Sequence, residues 1–480
     1  MKNLLIIILG IVLGVVAIAI RLLGLIPSGL GNSRRSNPVG NRFLLGVGAV
    51  SLAPFLSVAL FTCTFCSRIV PAMDTPGAAQ AIRQGRDEAT THRIASLDIF
   101  RGLTVLVMVF VDNLDFVKGL PWWTYHMPRQ SNGITYVDMV FPAFLFVMGM
   151  SIPIAVDLRI AEGDSRGKIW LRIVARSLSL VALGLFIANG PQVDRQRTGI
   201  SAVLWDLLGF AGIALGWGVS WSWSANKRLQ RVLKYVGFLL LAVLAAVFRR
   251  TTEDGHAGWL DFSDWEILGL LGWAYLLAGS LYLLCKKNVV ALGASLAVLC
   301  ALNVMSVKGW FACLHRWPPF AQPFEAGLAS ITVAGLIAYL IILENNIAGS
   351  VRAKILVAIG YAAILAGAAW RLAPLGISKL RDTPSWCLYC AATNILVVLL
   401  LYWIADVKRW TKWAGFLKPV GCNALLAYML AYLAYFTPAL FRLTADGTQG
   451  WYGVMRALLF AALVLTMTIV LTRFRFRLQV

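Results

Sequence analysis

Charge is scarce in this chain: of 480 residues only 14% are Asp, Glu, Lys or Arg, and just 22 are acidic. With 59% of the residues hydrophobic, there is no room for a large soluble domain between the apolar stretches. A G-x-x-x-x-G-K-[ST] loop is missing, and so is a dinucleotide-binding glycine fingerprint, which leaves a nucleotide-hydrolysing pump without support. Neither an Asn-x-Ser/Thr sequon nor a fixed-period repeat nor a low-complexity tract occurs. Cysteines number 8, and Cys63/Cys66 and Cys387/Cys390 each form a C-x-x-C. Both pairs lie in or at the ends of apolar runs without a neighbouring His or a second pair, so they read as small buried apolar residues and no metal site is expected.

What the chain has in quantity is apolar runs of about 18 to 22 residues from end to end, each long enough for a helix to cross the hydrocarbon core of a bilayer. The expected fold is all-α, a polytopic transmembrane helical bundle of about 12 core helices plus an N-terminal two-helix section. The first two spans lie near Leu4 to Ile26 and Phe43 to Cys63. The others start near Asp98, Ile134, Trp170, Ser201, Leu233, Glu266, Val289, Gly327, Ala353, Trp386, Gly421 and Trp451. Residues 1–66 form the N-terminal section, 67–92 a polar linker and 93–480 the core. The first span is long and no small-x-small cleavage site follows it, so it reads as a retained anchor rather than a signal peptide.

The net charge of +21 would suit nucleic acid, but its distribution argues against such a partner. Basic residues recur in alternate loops, among them Arg83, Arg86 and Arg93, then Arg159, Arg166 and Lys168, and later Lys408, Arg409 and Lys412. That alternation is the positive-inside pattern and places both termini in the cytoplasm. The opposite loops hold most of the chemistry: Asp112 to Asp138, Asp194, Glu253 to Asp264 with His256, His315, Glu325, Asp382 and Asp446.

The richest of these loops follows "SLDIFRGLTVLVMVFVDN", residues 96–113. Ser96 or Asp98 is expected to cap a helix that crosses outward to Asp112 and Asn113. The next helix returns from near Asp138, so two carboxylates flank the loop that carries His126. Ionisable groups at membrane depth are expensive and usually functional. A blander reading also stands: Asp112 and Asp138 as interfacial helix ends, and Trp122, Trp123 and Tyr125 as an aromatic belt. His256 and His315 read as solvated loop residues, and His92 as an inner-surface residue.

The ordered series "SLDIFRGLTVLVMVFVDN", "PWWTYH" and "NGITYVDMVFPAFLFVMGMSI" resembles the core signature of the transmembrane acetyltransferases typified by heparan-α-glucosaminide N-acetyltransferase. Weaker echoes follow in "FEAGLASITVAGLIAYL" from Phe324, "SWCLYCAATNILVVLLLYWIADVK" from Ser385 and "GCNALLAYML" from Gly421, so the likeness runs from about His92 to the C-terminus. It implies transfer of acetyl from cytosolic acetyl-CoA, as co-substrate, to an amino sugar or glycan across the membrane. The family's histidine falls on His126, as acyl acceptor or general base, and its outer-end asparagine on Asp112 with Asn113 beside it. Asp112 or Asn113 would orient the ring, and Asn132 with the backbone near Gly133 would hold the acyl oxygen. Trp122, Trp123 and Tyr125 would stack a sugar, with Asp138 nearby. Arg101, with Ser96 and Asp98 at the helix start, would meet the CoA phosphates.

Departures from the pattern are Asp112 for Asn, Ser131 for the Trp before Asn-Gly, and Trp205-Asp206 where the family has Gln-Arg. The absent sequon suits a bacterial inner membrane, with the active-site loop on the periplasmic side, better than a lysosomal one. The expected partners are the lipid bilayer and the acceptor sugar, and a homodimer is allowed for. Two rival readings are a transporter or flippase for a free or lipid-linked sugar, and a non-catalytic homologue. The first gives His126 no required role, and the chain shows no paired halves with interrupted helices.

Overall fold

The computed structural model describes residues 94–217, 227–252, 254–313, 325–344, 349–436, 447–474 and 476–478. The two N-terminal spans, the linker, His92, His315 and Asp446 lie outside the described residues. In chain order the helices are α1 (Ala95–Leu114), α2 (Val140–Ala161), α3 (Arg166–Asn189), α4 (Arg195–Thr198), α5 (Ala202–Trp217), α6 (Lys227–Val247) and α7 (Glu266–Cys285). They continue as α8 (Val289–Val307), α9 (Gly327–Ile342), α10 (Val351–Leu372), α11 (Pro384–Tyr402), α12 (Leu417–Cys422), α13 (Ala424–Phe436) and α14 (Gly450–Arg473). The strands among the described residues, β1 (Arg250–Thr251) and β2 (Ala257–Gly258), form one antiparallel hairpin.

The protein is therefore an all-α, polytopic helical protein, and each of the twelve expected core spans coincides with a helix. Eight of the described helices are long and apolar enough to cross a membrane. Helices α5, α9 and α13 are apolar but shorter. Helix α1 carries Asp98, Arg101, Asp112 and Asp115 at or near its ends, and its middle is apolar.

The chain forms two compact units. One holds residues Leu185–Asp264. In it Trp205 stacks on Phe186 with ring centroids 5.1 Å apart, and Phe248 closes on Trp205 from 5.4 Å. Asp206 is buried there against Gly190. Asp194 caps α4 by accepting from the N–H groups of Gln196 and Arg197, and Thr251 Oγ1 donates to its other oxygen at 2.6 Å. His256 is exposed in the hairpin turn of this unit.

The other unit carries the remaining helices. Helix α9 is apolar all round and all but one of its residues are buried, as expected of a helix enclosed by others. It meets α2 at close range: a Cβ on Gly149 would collide with the Thr332 carbonyl, and one on Gly335 with the Phe146 carbonyl. Small residues let two backbones approach where no water drives association. Cys387 and Cys390 are free thiols buried in α11.

Helix α1 is pinned at both ends, and this fixes the site. At its start the N-cap is Ile94, which offers no side-chain cap. The expectation that Ser96 or Asp98 caps the helix is therefore corrected. Both residues lie inside the first turn, and the free N–H groups of Ala95 and Ser96 donate to the two carboxylate oxygens of Asp406 at 3.0 and 3.1 Å. Asp406 sits on the π-helical turn Trp403–Val407 that continues α11, where the wider turn aims the side chain at the end of α1. At the other end, the loop after α1 is tied to the segment before α14. Lys118 N–H donates to the Thr448 carbonyl at 3.0 Å, and Gly450 N–H to the Lys118 carbonyl at 2.9 Å.

Candidate active site

Between α1 and α2 the chain makes no long regular element, so side chains hold the loop in place. Tyr125 Oη donates to the Val117 carbonyl at 2.6 Å and accepts from Leu120 N–H at 3.0 Å. Thr135 Oγ1 lies 3.0 Å from the Tyr125 carbonyl and 3.1 Å from Asp138 Oδ2. These contacts deliver His126 to Asp138, whose carboxylate lies 2.7 Å from the Nδ1 atom of the ring.

Asp138 is only 1% exposed, and its second oxygen accepts from Thr135 N–H at 3.2 Å and Met127 N–H at 3.3 Å. An ionised carboxylate has no hydrogen to give, so it can only accept from the ring. A hydrogen bond to that carboxylate needs the hydrogen on Nδ1, and in that tautomer the lone pair lies on Nε2. The sequence reading gave ring orientation to Asp112 or Asn113 and put Asp138 among substrate contacts. The geometry assigns the ring to Asp138.

Asp112 and Asn113 lie beside His126 in another sense. A cavity of about 350 Å³ is lined by Val109, Asp112, Asn113, Asp115, His126 and Glu266, with Tyr428 and Tyr432 on the facing helix α13. Asn113 itself is buried, and its side-chain N–H₂ donates to the Val109 carbonyl at 3.2 Å. Asp112 is exposed, its surface open at this cavity. Tyr428 Oη donates to Glu266 Oε2 at 2.7 Å, and the Tyr428 and Tyr432 rings stack with centroids 5.9 Å apart.

The aromatic roles differ from expectation. Trp122 and Trp123 are 70% and 52% exposed, and neither they nor Tyr125 line the cavity. The Tyr125 hydroxyl braces its own loop, and the aromatic residues at the cavity are Phe116, Tyr428 and Tyr432. Asn132 and Gly133 also do something else. Gly133 N–H donates to the Ile377 carbonyl at 3.0 Å, while Asn132 Oδ1 accepts from Ile377 N–H at 3.1 Å and from Arg381 at 3.3 Å. An N–H already bonded to a carbonyl is not a ready oxyanion donor, so this pair acts as a tether between the His126 loop and residues 376–383.

Through that tether arrives a residue that sequence reasoning missed. Lys379 Nζ stands 3.4 Å from both nitrogens of His126, across 253 positions of chain. Burial holds its ammonium below the ordinary lysine range, opposed by the charges of Asp138, Asp112, Asp115 and Asp382. Glu266, Tyr428 and Tyr432 were missed as well. Tyr428 stood in the quoted "GCNALLAYML", but nothing local distinguished it from a core tyrosine.

The expected phosphate contacts lie at the far end of α1. From Arg101 to Asp112 is 11 residues, roughly 16 Å along the helix. Arg101 donates to Ser151 Oγ at 2.7 Å and pairs with Asp98 at 3.8 Å. The helix N-terminus already holds the Asp406 carboxylate, which accepts from its first two N–H groups and would repel an anion. Ser96, Asp98 and Arg101 thus do not form an open phosphate cradle. Among the described residues no cluster of three or more His, Cys, Asp or Glu side chains has the arrangement to hold a metal.

Comparison with known proteins agrees with the signature. A family described as a domain of unknown function, DUF5009, matches residues 93–352. Heparan-alpha-glucosaminide N-acetyltransferase from Homo sapiens is 27% identical over 203 residues, which are 38% of this chain and 29% of that protein. The protein of the same name from Mus musculus is 32% identical over 133 residues, 28% of this chain and 19% of that protein. The matched part thus spans less than a third of either relative's own length.

Proposed function

This chain belongs to the DUF5009 family and is a heparan-alpha-glucosaminide N-acetyltransferase-like member of it, and from that premise we propose that it is a membrane acetyltransferase. It transfers acetyl from acetyl-CoA on its basic, cytoplasmic side to an amino sugar or glycan on the opposite, periplasmic side of a bacterial inner membrane. The observation that carries this reading is the His126–Asp138 pair, 2.7 Å apart, with His126 in the wall of a cavity of about 350 Å³. That volume falls in the usual range for small-ligand pockets, about 300–1,000 Å³.

The chemistry asked of the residues is simple. With its Nδ1 proton committed to Asp138, His126 offers a lone pair at Nε2. It removes a proton from the attacking amine or hydroxyl as that atom bonds to the acetyl carbonyl carbon, and the thiolate of the donor leaves. The alternative route has Nε2 itself accept the acetyl group and pass it on. In either route the imidazolium that forms is stabilised by the Asp138 carboxylate, which is already desolvated and aimed at it. Tyr428 and Tyr432 provide stacked faces for a sugar ring, and Asp112 and Glu266 provide acceptors for its hydroxyl or amino hydrogens.

The test is acetyl transfer in sealed vesicles, with labelled acetyl-CoA on the basic-loop side and a panel of amino sugars on the other. Wild-type protein is expected to label a sugar, and His126→Ala to label none while remaining folded. Full transfer by His126→Ala would remove His126 from the reaction. Sugar flux through the vesicle wall without any labelling would favour a transporter instead.

A further inference from the structure

His126 sits among negative charge. Asp138 holds its Nδ1 at 2.7 Å, and Asp112, Asp115 and Glu266 line the same cavity as the ring. Tyr428 and Tyr432, the other titratable groups there, are neutral phenols at ordinary pH. A carboxylate beside an imidazole favours the doubly protonated cation, in which both nitrogens carry hydrogen and Nε2 has no lone pair left. Asp138 and the ionised carboxylates of the cavity, unopposed, would therefore disarm the base on which the proposed reaction depends.

We infer that Lys379 is a positioning residue whose ammonium group, 3.4 Å from both ring nitrogens and within hydrogen-bond reach of Nε2, keeps His126 in the uncharged form with Nε2 unprotonated. The inference rests on His126 being the reacting base. Two positive charges at that distance repel strongly in a half-buried site, so the ring next to a charged Lys379 resists its second proton. The lysine needs no contact with either substrate to act in this way. Its effect passes through the ring.

The architecture around Lys379 suits a fixed charge rather than a wandering side chain. The segment 376–383 is tied to the His126 loop by three bonds: Gly133 N–H to the Ile377 carbonyl, Ile377 N–H to Asn132 Oδ1, and Arg381 to Asn132 Oδ1. Inside the segment, Ser378 N–H donates to Thr383 Oγ1 at 3.0 Å. Gly376 enters it at a φ of +96°, a backbone that L side chains rarely adopt, and a Cβ there would also press on Asn132 Oδ1 and Arg381. A surface lysine with only a solubilising role would not call for such a mount.

Ring protonation can be read directly, apart from turnover. Protein in lipid nanodiscs, carrying ring-labelled histidine, is titrated by NMR, and the His126 signal is identified by its loss in His126→Gln. In Lys379→Met the midpoint of the His126 titration is expected to rise by about one pH unit or more, and in Lys379→Arg to stay near the wild-type value. Lys379→Gln, which keeps a polar head, serves as the second neutral variant should the methionine disturb folding, and the same rise is expected. The acid limb of the transfer rate against pH should move up in parallel. An unchanged or lowered His126 midpoint in the folded neutral variants would overturn the inference. Full transfer by His126→Gln would instead overturn the catalytic reading of His126, and the ring titration would still report whether Lys379 sets its charge.

Discussion

Asp138 accepts from the imidazole of His126 at 2.7 Å while Thr135 and Met127 lock its second oxygen, so the ring cannot turn without breaking a buried set of bonds. Replacing Asp138 by Asn keeps the size but brings an amide N–H₂ to face either the ring N–H or the donors of Thr135 and Met127. The ring then loses its tautomer, its orientation, or both. Acetyl transfer by Asp138→Asn is expected to fall about 100-fold or more, with binding of the sugar little changed. Steady-state kinetics of the variant beside wild type check this.

Glu266 and Tyr428 are expected to act on acceptor binding rather than on the chemical step. Removing the phenol hydroxyl in Tyr428→Phe deletes the 2.7 Å bond that orients the Glu266 carboxylate in the cavity. KM for the acceptor should rise about tenfold with kcat changed far less, as for loss of one charge-assisted hydrogen bond. An equal fall in kcat would place the pair in the chemistry instead.

Asp406 should matter for stability and not for the site's chemistry. It satisfies the Ala95 and Ser96 N–H groups at one end of α1, whereas His126 is reached from the other. Asp406→Ala is expected to cost about 1–2 kcal/mol, and Asp406→Asn less, because the amide oxygen still accepts one N–H. Denaturation of the purified variants, followed by circular dichroism, measures the order. The rate–pH profile of whatever remains folded should keep its wild-type shape.

Asp382 predicts a pH dependence of stability. It lies in the tethered segment 376–383, where burial and the neighbouring Glu325 raise its carboxyl to about 7. A carboxyl raised above its unfolded value favours the folded state at low pH, and that advantage is lost as pH climbs from about 4 toward about 7. Asp382→Asn removes the titration, and its backbone φ of 46° is one that asparagine tolerates. The melting temperature of the variant should exceed that of wild type by a few degrees at about pH 8, with the gap closing as pH falls toward 4. A gap independent of pH would show that Asp382 does not ionise in this range.

Much of this protein was written in the order of its residues. Apolar runs of membrane-crossing length determined the helices, because in a bilayer every backbone polar group must be satisfied within its own segment, and twelve span starts read from the chain coincide with helices. His126, Asp112 and Asp138 were also legible, since they stand within one stretch of 27 residues between two spans. Which carboxylate holds the ring was not legible, because spacing brings both near and only the fold of the loop chooses Asp138. Lys379, Glu266 and Tyr428 came to light only in three dimensions. They sit on segments remote in sequence, in surroundings that resemble any helix end or core face. Only packing brings Glu266 and Tyr428 to one cavity and Lys379 to the ring of His126. The cap of α1 follows the same rule: Asp406 lies 311 positions from Ala95, and no local pattern reveals a bond whose two halves meet only when α11 and α1 come together.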